Sequence, residues 1–339
     1  MLTWNVTRSC NLRCSYCAPN APFGKPAGSE RDRLRILDAI LALNPIFVSL
    51  LGGEPTLVPE ISTLIHRLIE HDVHADLTTN GAGVNDDFCR NLEGFGSSRY
   101  TIMLSLDSNS PETNDAQRGP GSFKTAIRAA RRMGSYDLPF AVGMTITPKN
   151  MHDLVETYEL AAELGARFFC AWFVMPSGRA TRDHVASPDE EFVRQVKTVV
   201  EGSQLGGPRL SRLDLSYSSM RHIRDSMGSN HCQSVTPQLA EAASMIGCEG
   251  CRYRILVDEN GDVYPCDFLQ YSEFKMGNLL DDPWDDVWNS PPAVLKARLT
   301  RSAKPGCQSC ALTVCDTGCF GITYAEFKRS GKLLPMCEV

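Results

Sequence analysis

The chain lacks the features that mark several large classes of protein. Positive charge is not in surplus: 34 Lys and Arg stand against 40 Asp and Glu, a formal charge of -6 over 339 residues. The basic footprint that neutralises phosphate is therefore missing, which argues against a general nucleic-acid binder. No apolar run approaches the roughly 18 residues that span a bilayer. Strand-like sequence begins at Leu2, leaving no room for a secretory signal, so the expectation is a cytoplasmic protein with no membrane attachment. His66, His71, His74, His152, His184, His222 and His231 include no pair at metal-ligand spacing. Trp284 and Trp288 lack the basic neighbours of a base-stacking platform and read as packing residues of a short helix. Cysteine, by contrast, is abundant, with 14 residues. A chain long enough for about two domains has its own core and little need of many disulfides, and a reducing compartment would not maintain them. Metal or cluster ligation is the leading account.

The front two-thirds alternates strand-like and helix-like patterns. Leu2 to Thr7, Phe47 to Leu51, His74 to Thr79, Tyr100 to Leu106, Phe140 to Ile146 and Arg167 to Val174 read as strands. Arg31 to Leu43, Ile61 to His71, Asp86 to Leu92, Phe123 to Met133, Met151 to Leu164 and Pro188 to Glu201 read as helices. Ser122, Asn150 and Ser187 with Pro188 are start signals, and Gly134 and Gly165 are stops. Six strand-helix units predict a parallel sheet clothed in helices, either a curved partial barrel or an open doubly wound sheet, with chemistry beyond the carboxyl ends of the strands. Residues 202–247 look like a bridge. After Cys248 the composition changes: eight of the 14 cysteines fall in this tail, beside a hairpin in which Arg252 to Val257 and Val263 to Pro265 flank Asn260-Gly261.

Residues 10–17 read CNLRCSYC, placing Cys10, Cys14 and Cys17 on one loop after the first strand. Soft thiolates select iron-sulfur clusters or zinc. Three of them on a four-iron cube leave one iron open, and an open coordination position marks catalysis rather than structure. Ordinary loop cysteines or part of a zinc site are the alternatives.

This CxxxCxxC after a first strand resembles the signature of the radical S-adenosylmethionine (SAM) superfamily, which implies an α/β fold, a partial (β/α)6 TIM-like barrel. Gly52-Gly53-Glu54-Pro55 is similar to the family's GGEP turn, where backbone receives the amino end of SAM; a close-approaching ligand would explain the glycines. Ser105 and Asp107 match positions that meet the ribose, and Arg118 an arginine that meets a carboxylate, which a guanidinium can clamp with two bonds. Tyr16 and Val174 match positions near the adenine.

The tail, with Cys251, Gly261, Cys266, Cys307, Cys310, Cys315, Cys319 and Cys337, resembles the SPASM domain, a small cysteine-rich unit known for two auxiliary 4Fe-4S clusters. The resemblance implies one cluster on Cys248, Cys251, Cys266 and Cys319, and another on Cys307, Cys310, Cys315 and Cys337. Only two residues separate Cys248 from Cys251, fewer than in sulfatase-maturating enzymes; without Cys248 the first auxiliary cluster keeps an open iron. Paired zinc ribbons are the structural alternative. Asp267, directly after Cys266, matches the proposed base of sulfatase-maturating enzymes. Cys89, Cys170 and Cys232 fall outside every pattern and read as core or incidental thiols.

The expected organisation is a core at 1–201, a bridge at 202–247 and the SPASM domain at 248–339. The resemblance implies SAM and three 4Fe-4S clusters as cofactors, formation of a 5′-deoxyadenosyl radical, and oxidative modification of a peptide or protein side chain. Flavodoxin or ferredoxin would donate electrons. With only nine residues before Cys10, a separate leader-peptide-binding protein is an expected partner. A small-molecule substrate (sugar, nucleoside or tetrapyrrole precursor) is the alternative, and a non-catalytic iron-sulfur electron carrier a further one. The MPSGRA segment after the sixth strand looks like cofactor- and haem-pathway relatives.

Overall fold

The computed structural model describes residues 1–24, 26, 28–95, 99–214, 254–290 and 320–331. Its strands are β1 (Leu2–Thr7), β2 (Phe47–Gly52), β3 (His74–Thr79), β4 (Tyr100–Ser105), β5 (Phe140–Ile146), β6 (Phe168–Phe173), β7 (Arg209–Asp214), β8 (Ile255–Val257), β9 (Asp262–Tyr264) and β10 (Gly277–Asn278). They form a single sheet in the order β10-β9-β8-β1-β2-β3-β4-β5-β6-β7. Neighbours from β1 to β7 run parallel. The six expected strands are present with ends within one residue, in the α/β arrangement of a partial TIM-type barrel. The seventh, Arg209–Asp214, falls in the stretch that read as a bridge; its apolar content is too low for periodicity to reveal it.

The helices are α1 (Glu30–Ala42), α2 (Ile61–Glu70), α3 (Asp86–Leu92), α4 (Pro111–Arg118), α5 (Ser122–Ser135), α6 (Leu154–Glu163), α7 (Glu190–Gln204), α8 (Trp284–Asn289) and α9 (Phe320–Ser330). Strand alternation divides the labour. Leu2, Trp4 and Val6 of β1, Val48 and Leu50 of β2 and their counterparts on later strands meet Ile36, Leu37 and Ile40 of α1 and the Leu64-Ile65-Leu68 stripe of α2 in one apolar core. Full burial contributes about 1.5–3 kcal/mol for each such side chain. The opposite face carries Thr3, Asn5, Thr7, Ser49, Asp76, Ser105 and Thr145, a polar interior to the curved sheet.

Several helix signals act differently from their expected roles. Ser122 is the first residue of α5, not its cap: Gly121 precedes it with φ 78, and the Asp115 carboxylate accepts from Gly121 N (2.6 Å), Phe123 N (2.7 Å) and Ser122 Oγ (2.9 Å). Asp189, not Ser187, caps α7, accepting from Phe192 N at 2.9 Å. Asn150 makes no cap; its amide donates to Asp107 O (2.7 Å) and Thr145 O (2.9 Å). Gly134 lies inside α5, and the chain turns away at Asp137 (φ 49). Gly165, at φ 83, ends α6 as expected.

The tail returns to the front of the molecule. β8 lies parallel to β1, with Leu2 opposite Ile255 and Trp4 opposite Val257, and β9 folds back antiparallel. Between them Asp258 Oδ1 accepts from Asn260 N (2.9 Å) and Asp262 N (3.0 Å), and Gly261 takes φ 86, which gives Asn260-Gly261 the turn expected of it. This pairing covers what would otherwise be an open edge of β1. Among the described residues no helix is long and apolar enough to cross a membrane.

Candidate functional site

Chain direction places the carboxyl ends of β1, β2, β4 and β6 around the loop that holds Cys10, Cys14 and Cys17. Cys10 is buried and the other two are half-buried, all as reduced thiols. Backbone bonds pin the loop at both ends: Cys10 N donates to Pro22 O at 2.9 Å, Gly24 N to Cys10 O at 3.0 Å, and Ser15 N to Gln117 O at 2.9 Å. Leu12 N points at Cys10 Sγ, 3.4 Å away, and Asn80 Nδ2 lies 3.9 Å from the same sulfur. Burial pushes the Cys10 thiol up to about 11 and raises that of Cys14. Such thiols become ligands when a metal displaces their protons. Among the described residues no three His, Cys, Asp or Glu side chains are grouped to hold a single metal ion. Three soft donors on one short loop, with an N–H directed at sulfur, suit a cube, whose irons take separate thiolates.

The GGEP turn is stitched onto this loop. Gly53 N donates to Thr7 O (2.7 Å) and Glu54 N to Ser9 O (2.9 Å). A Cβ on Gly52, which has φ 127, would sit 2.0 Å from Thr7 O, and one on Gly53 2.0 Å from Ser9 O. The glycines thus serve close approach of the chain to itself, in addition to any approach of a ligand. The Glu54 side chain is directed inward. Its carboxylate accepts from Thr56 N (3.0 Å), Thr56 Oγ1 (2.6 Å), Thr79 Oγ1 (2.5 Å) and Asn80 N (2.6 Å), joining the turn to the end of β3.

Tyr16, Asp107 and Arg118 come together. The Asp107 side chain is wholly buried; its Oδ1 accepts from Arg118 Nη2 (2.7 Å) and Thr145 N (2.9 Å), and its Oδ2 from the Tyr16 hydroxyl. Burial pushes the Tyr16 phenol well above its ordinary range, so it stays a donor. The Arg118 guanidinium also lies over the Tyr16 ring, 5.7 Å from its centroid. Arg118 Nε and the neighbouring Gln117 Nε2 are buried donors with no protein partner. Two such orphans beside the cysteine loop suit a ligand that supplies acceptors. Arg118 belongs to α4, a helix the sequence reading passed over because its buried residues, Asn114, Gln117 and Arg118, are polar. Proline after serine was the available signal: Ser110 caps the helix and Pro111 opens it.

Ser105 ends β4 on the interior face, half-buried. Val174 follows β6 and packs with Tyr16 and Ala180, against half-buried Cys14 and Val185. The two positions assigned to adenine therefore share one apolar wall beside the loop. Sequence reasoning missed Arg179 within MPSGRA. Its Nε donates to Cys14 O at 2.9 Å, and its Nη1 to Ala21 O at 2.9 Å and Asn20 Oδ1 at 3.2 Å.

In the tail, Asp267 Oδ2 lies 3.5 Å from Arg254 Nη2, and Arg254 Nε donates to Thr3 Oγ1 (3.2 Å) on the interior face of β1. Gln270 joins the same region to Asn5, which donates to its Oε1 at 3.0 Å. Cys266 packs at the edge of a cluster of Leu269, Phe274, Tyr271 and Tyr324, the last from α9. Cys248, Cys251, Cys307, Cys310, Cys315, Cys319 and Cys337 lie outside the described residues, as do Cys232, His222 and His231. Cys89 is a core residue of α3 and Cys170 is buried in β6. The Trp284 and Trp288 rings meet at 5.6 Å on α8.

The radical SAM superfamily profile matches residues 4–161, and that of the SPASM iron-sulfur cluster-binding domain residues 248–311. The AdoMet-dependent heme synthase of Methanosarcina barkeri is 25% identical over 335 residues, covering 96% of this chain and 92% of its own. Mycofactocin maturase MftC of Mycobacterium ulcerans is 29% identical over 327 residues, covering 95% and 83%. The fold is similar to the crystal structure of Streptococcus suis SuiB bound to S-adenosylmethionine, with a TM-score of 0.75 at 20% identity, covering 100% of this chain and 77% of that one. With its cysteine loop at the head of a partial barrel and iron-sulfur-binding sequence in its tail, the chain belongs to the radical SAM superfamily, as an oxidoreductase that uses S-adenosylmethionine and iron-sulfur clusters and carries a carboxyl-terminal SPASM domain.

Proposed function

We propose that this enzyme reductively cleaves SAM at a cluster on Cys10, Cys14 and Cys17 and oxidatively modifies a peptide side chain. The observation that carries this reading is the set of buried donors and apolar walls converging on that loop. When bound, the cluster and SAM together supply one-electron reduction and a carbon radical. The protein supplies position and exclusion of water: the Gly52-Gly53 turn presents backbone, Tyr16 and Val174 offer an apolar wall for the adenine, and Ser105 stands at the ribose position. Arg118, with its orphaned Nε, faces the carboxylate end, and Asp107 orients Arg118 and Tyr16. Holding reactants in register contributes much of any such rate enhancement.

Two auxiliary 4Fe-4S clusters are part of the proposal, on Cys248, Cys251, Cys266 and Cys319 and on Cys307, Cys310, Cys315 and Cys337, in a tail domain at 248–339. If Cys248 does not ligate, the first of them keeps an open iron. Flavodoxin or ferredoxin as donor, a separate leader-binding protein and a cytoplasmic location complete the reading. Anaerobically reconstituted protein is expected to hold about 12 iron atoms per chain, four for each of three cubes, and to yield 5′-deoxyadenosine on reduction. Iron near four with tightly bound zinc rejects the auxiliary assignment; full iron loading without cleavage favours an electron carrier.

Relatives named as maturases, and a similar fold solved as SuiB bound to precursor peptide SuiA, support a peptide substrate. The haem synthase relatives, at 24–25% identity over nearly the whole chain, favour a second reading in which the substrate is a tetrapyrrole precursor. Incubating reduced enzyme with each class and following mass loss in the substrate separates the two.

Asp267 is proposed as the base. Its carboxylate sits near the polar interior of the sheet, beside Arg254, where it can take a proton from the substrate; auxiliary clusters, if bound, would supply an electron acceptor. Asp267→Asn is expected to retain 5′-deoxyadenosine formation and to lower product by at least about 100-fold, the size of a general-base contribution. An unchanged product yield removes the role.

A further inference from the structure

Arg179 stands out because it engages the cysteine loop at several carbonyls, yet no step of the proposed chemistry uses it. Gly178 (φ 61) brings the strap of residues 175–180 against that loop; a Cβ there would lie 2.1 Å from Ala18 O and 2.4 Å from Cys17 O. The backbone N–H of Arg179 then donates to Cys17 O at 2.9 Å. Its guanidinium spans from Cys14 O to Ala21 O and Asn20 Oδ1. A planar fork with several donors can hold three acceptors in a fixed relation, which an ammonium cannot. From the other side Arg329 of α9 reaches the same strap, its Nη2 donating to Ala180 O at 2.8 Å and Gly178 O at 3.4 Å. α9 lies between Cys319 and Cys337 in sequence, and its Tyr324 packs in the cluster that borders Cys266.

We propose that Arg179 is a positioning residue for the cysteine loop and that Arg329 latches its strap to the carboxyl-terminal helix, so that docking of the tail sets the geometry of the first cluster's ligands. The part concerning the cluster rests on the reading of this loop as the SAM-binding cluster site. The part concerning the loop does not.

The experiment uses the full chain in two states. In metal-free protein, hydrogen exchange of residues 14–21 is expected to quicken by about tenfold in Arg179→Ala, the loss of charge-assisted bonds to carbonyls. Arg179→Lys, which keeps the charge and one bond, should fall between this and the wild type. Arg329→Ala should quicken residues 175–180 and, less strongly, 14–21, while α2 is unchanged. In reconstituted protein loaded to wild-type iron content, the change that SAM produces in the electron paramagnetic resonance signal of the first cluster is expected to be altered in Arg179→Ala and partly restored by Arg179→Lys. Wild-type exchange and an unaltered signal in Arg179→Ala overturn the proposal. A wild-type protein that binds no iron at Cys10, Cys14 and Cys17 overturns the cluster reading instead, and exchange alone then decides the latch.

Discussion

Replacing Cys10, Cys14 and Cys17 together with alanine is expected to abolish reductive cleavage of SAM and to lower iron by about four atoms per chain, while leaving the iron of the proposed auxiliary sites. The selectivity follows from the separation of the sites along the chain and from how the loop is held. Its path depends on backbone bonds at Cys10, Ser15 and Gly24 and on Arg179, none of which needs a thiol. Cys14 and Cys17 are half-buried, so their truncation opens little cavity, and the sheet should melt near its ordinary temperature. Iron assay, melting temperature and 5′-deoxyadenosine yield with a chemical reductant form the test. Cleavage that survives the triple replacement shows that the front site is wrongly assigned. A protein that no longer folds is distinguished by its melting curve, and single Cys14→Ala and Cys17→Ala variants, each sufficient to break a three-thiolate set, then take its place.

Much of the fold was legible because its signals are local. β3, β5 and α3 match their sequence limits residue for residue: short apolar and β-branched runs mark the strands, and in the structure the Asn85 side chain caps α3. The cysteine loop was equally plain, as three thiols in eight residues leave few alternatives. What was hidden is cooperative and polar. α4 buries Asn114, Gln117 and Arg118, so no apolar stripe reveals it, and its purpose appears only when Asp107 is seen beside it. Asn150, which reads as a cap, ties Asp107 O to Thr145 O across two strands. Gly134 reads as a stop, yet the helix continues through it, because packing of Ala129, Ala130 and Met133 outweighs the roughly 1 kcal/mol propensity cost of one glycine. Glu54 sits in a motif associated with the cofactor, and only the structure shows its buried carboxylate engaged with Thr56, Thr79 and Asn80. Contacts between residues far apart in sequence fix these roles, and no spacing rule encodes them.

Asp107 carries the other large expected effect, and it separates two roles that the motif cannot. A carboxylate whose only task is to meet a ribose is dispensable in the ligand-free protein. Here it is wholly buried against Arg118, Tyr16 and the Thr145 N–H, so Asp107→Ala leaves a guanidinium in the interior with its counter-charge removed. Breaking one side of a buried pair costs roughly 3–5 kcal/mol. Denaturant midpoints measured on metal-free, SAM-free protein should fall accordingly, with the slope unchanged. Asp107→Asn keeps the shape and one acceptor oxygen and should lose less. Replacing both partners, Asp107→Ala with Arg118→Met, removes the stranded charge, so the double variant should be more stable than Asp107→Ala alone, a coupling that neither single change reports. The double variant nonetheless loses the donor proposed to meet SAM, so its SAM affinity should stay low even as its stability recovers. If Asp107→Ala is as stable as the wild type without ligand, the buried pair has no structural weight, and the aspartate acts only when the cofactor arrives.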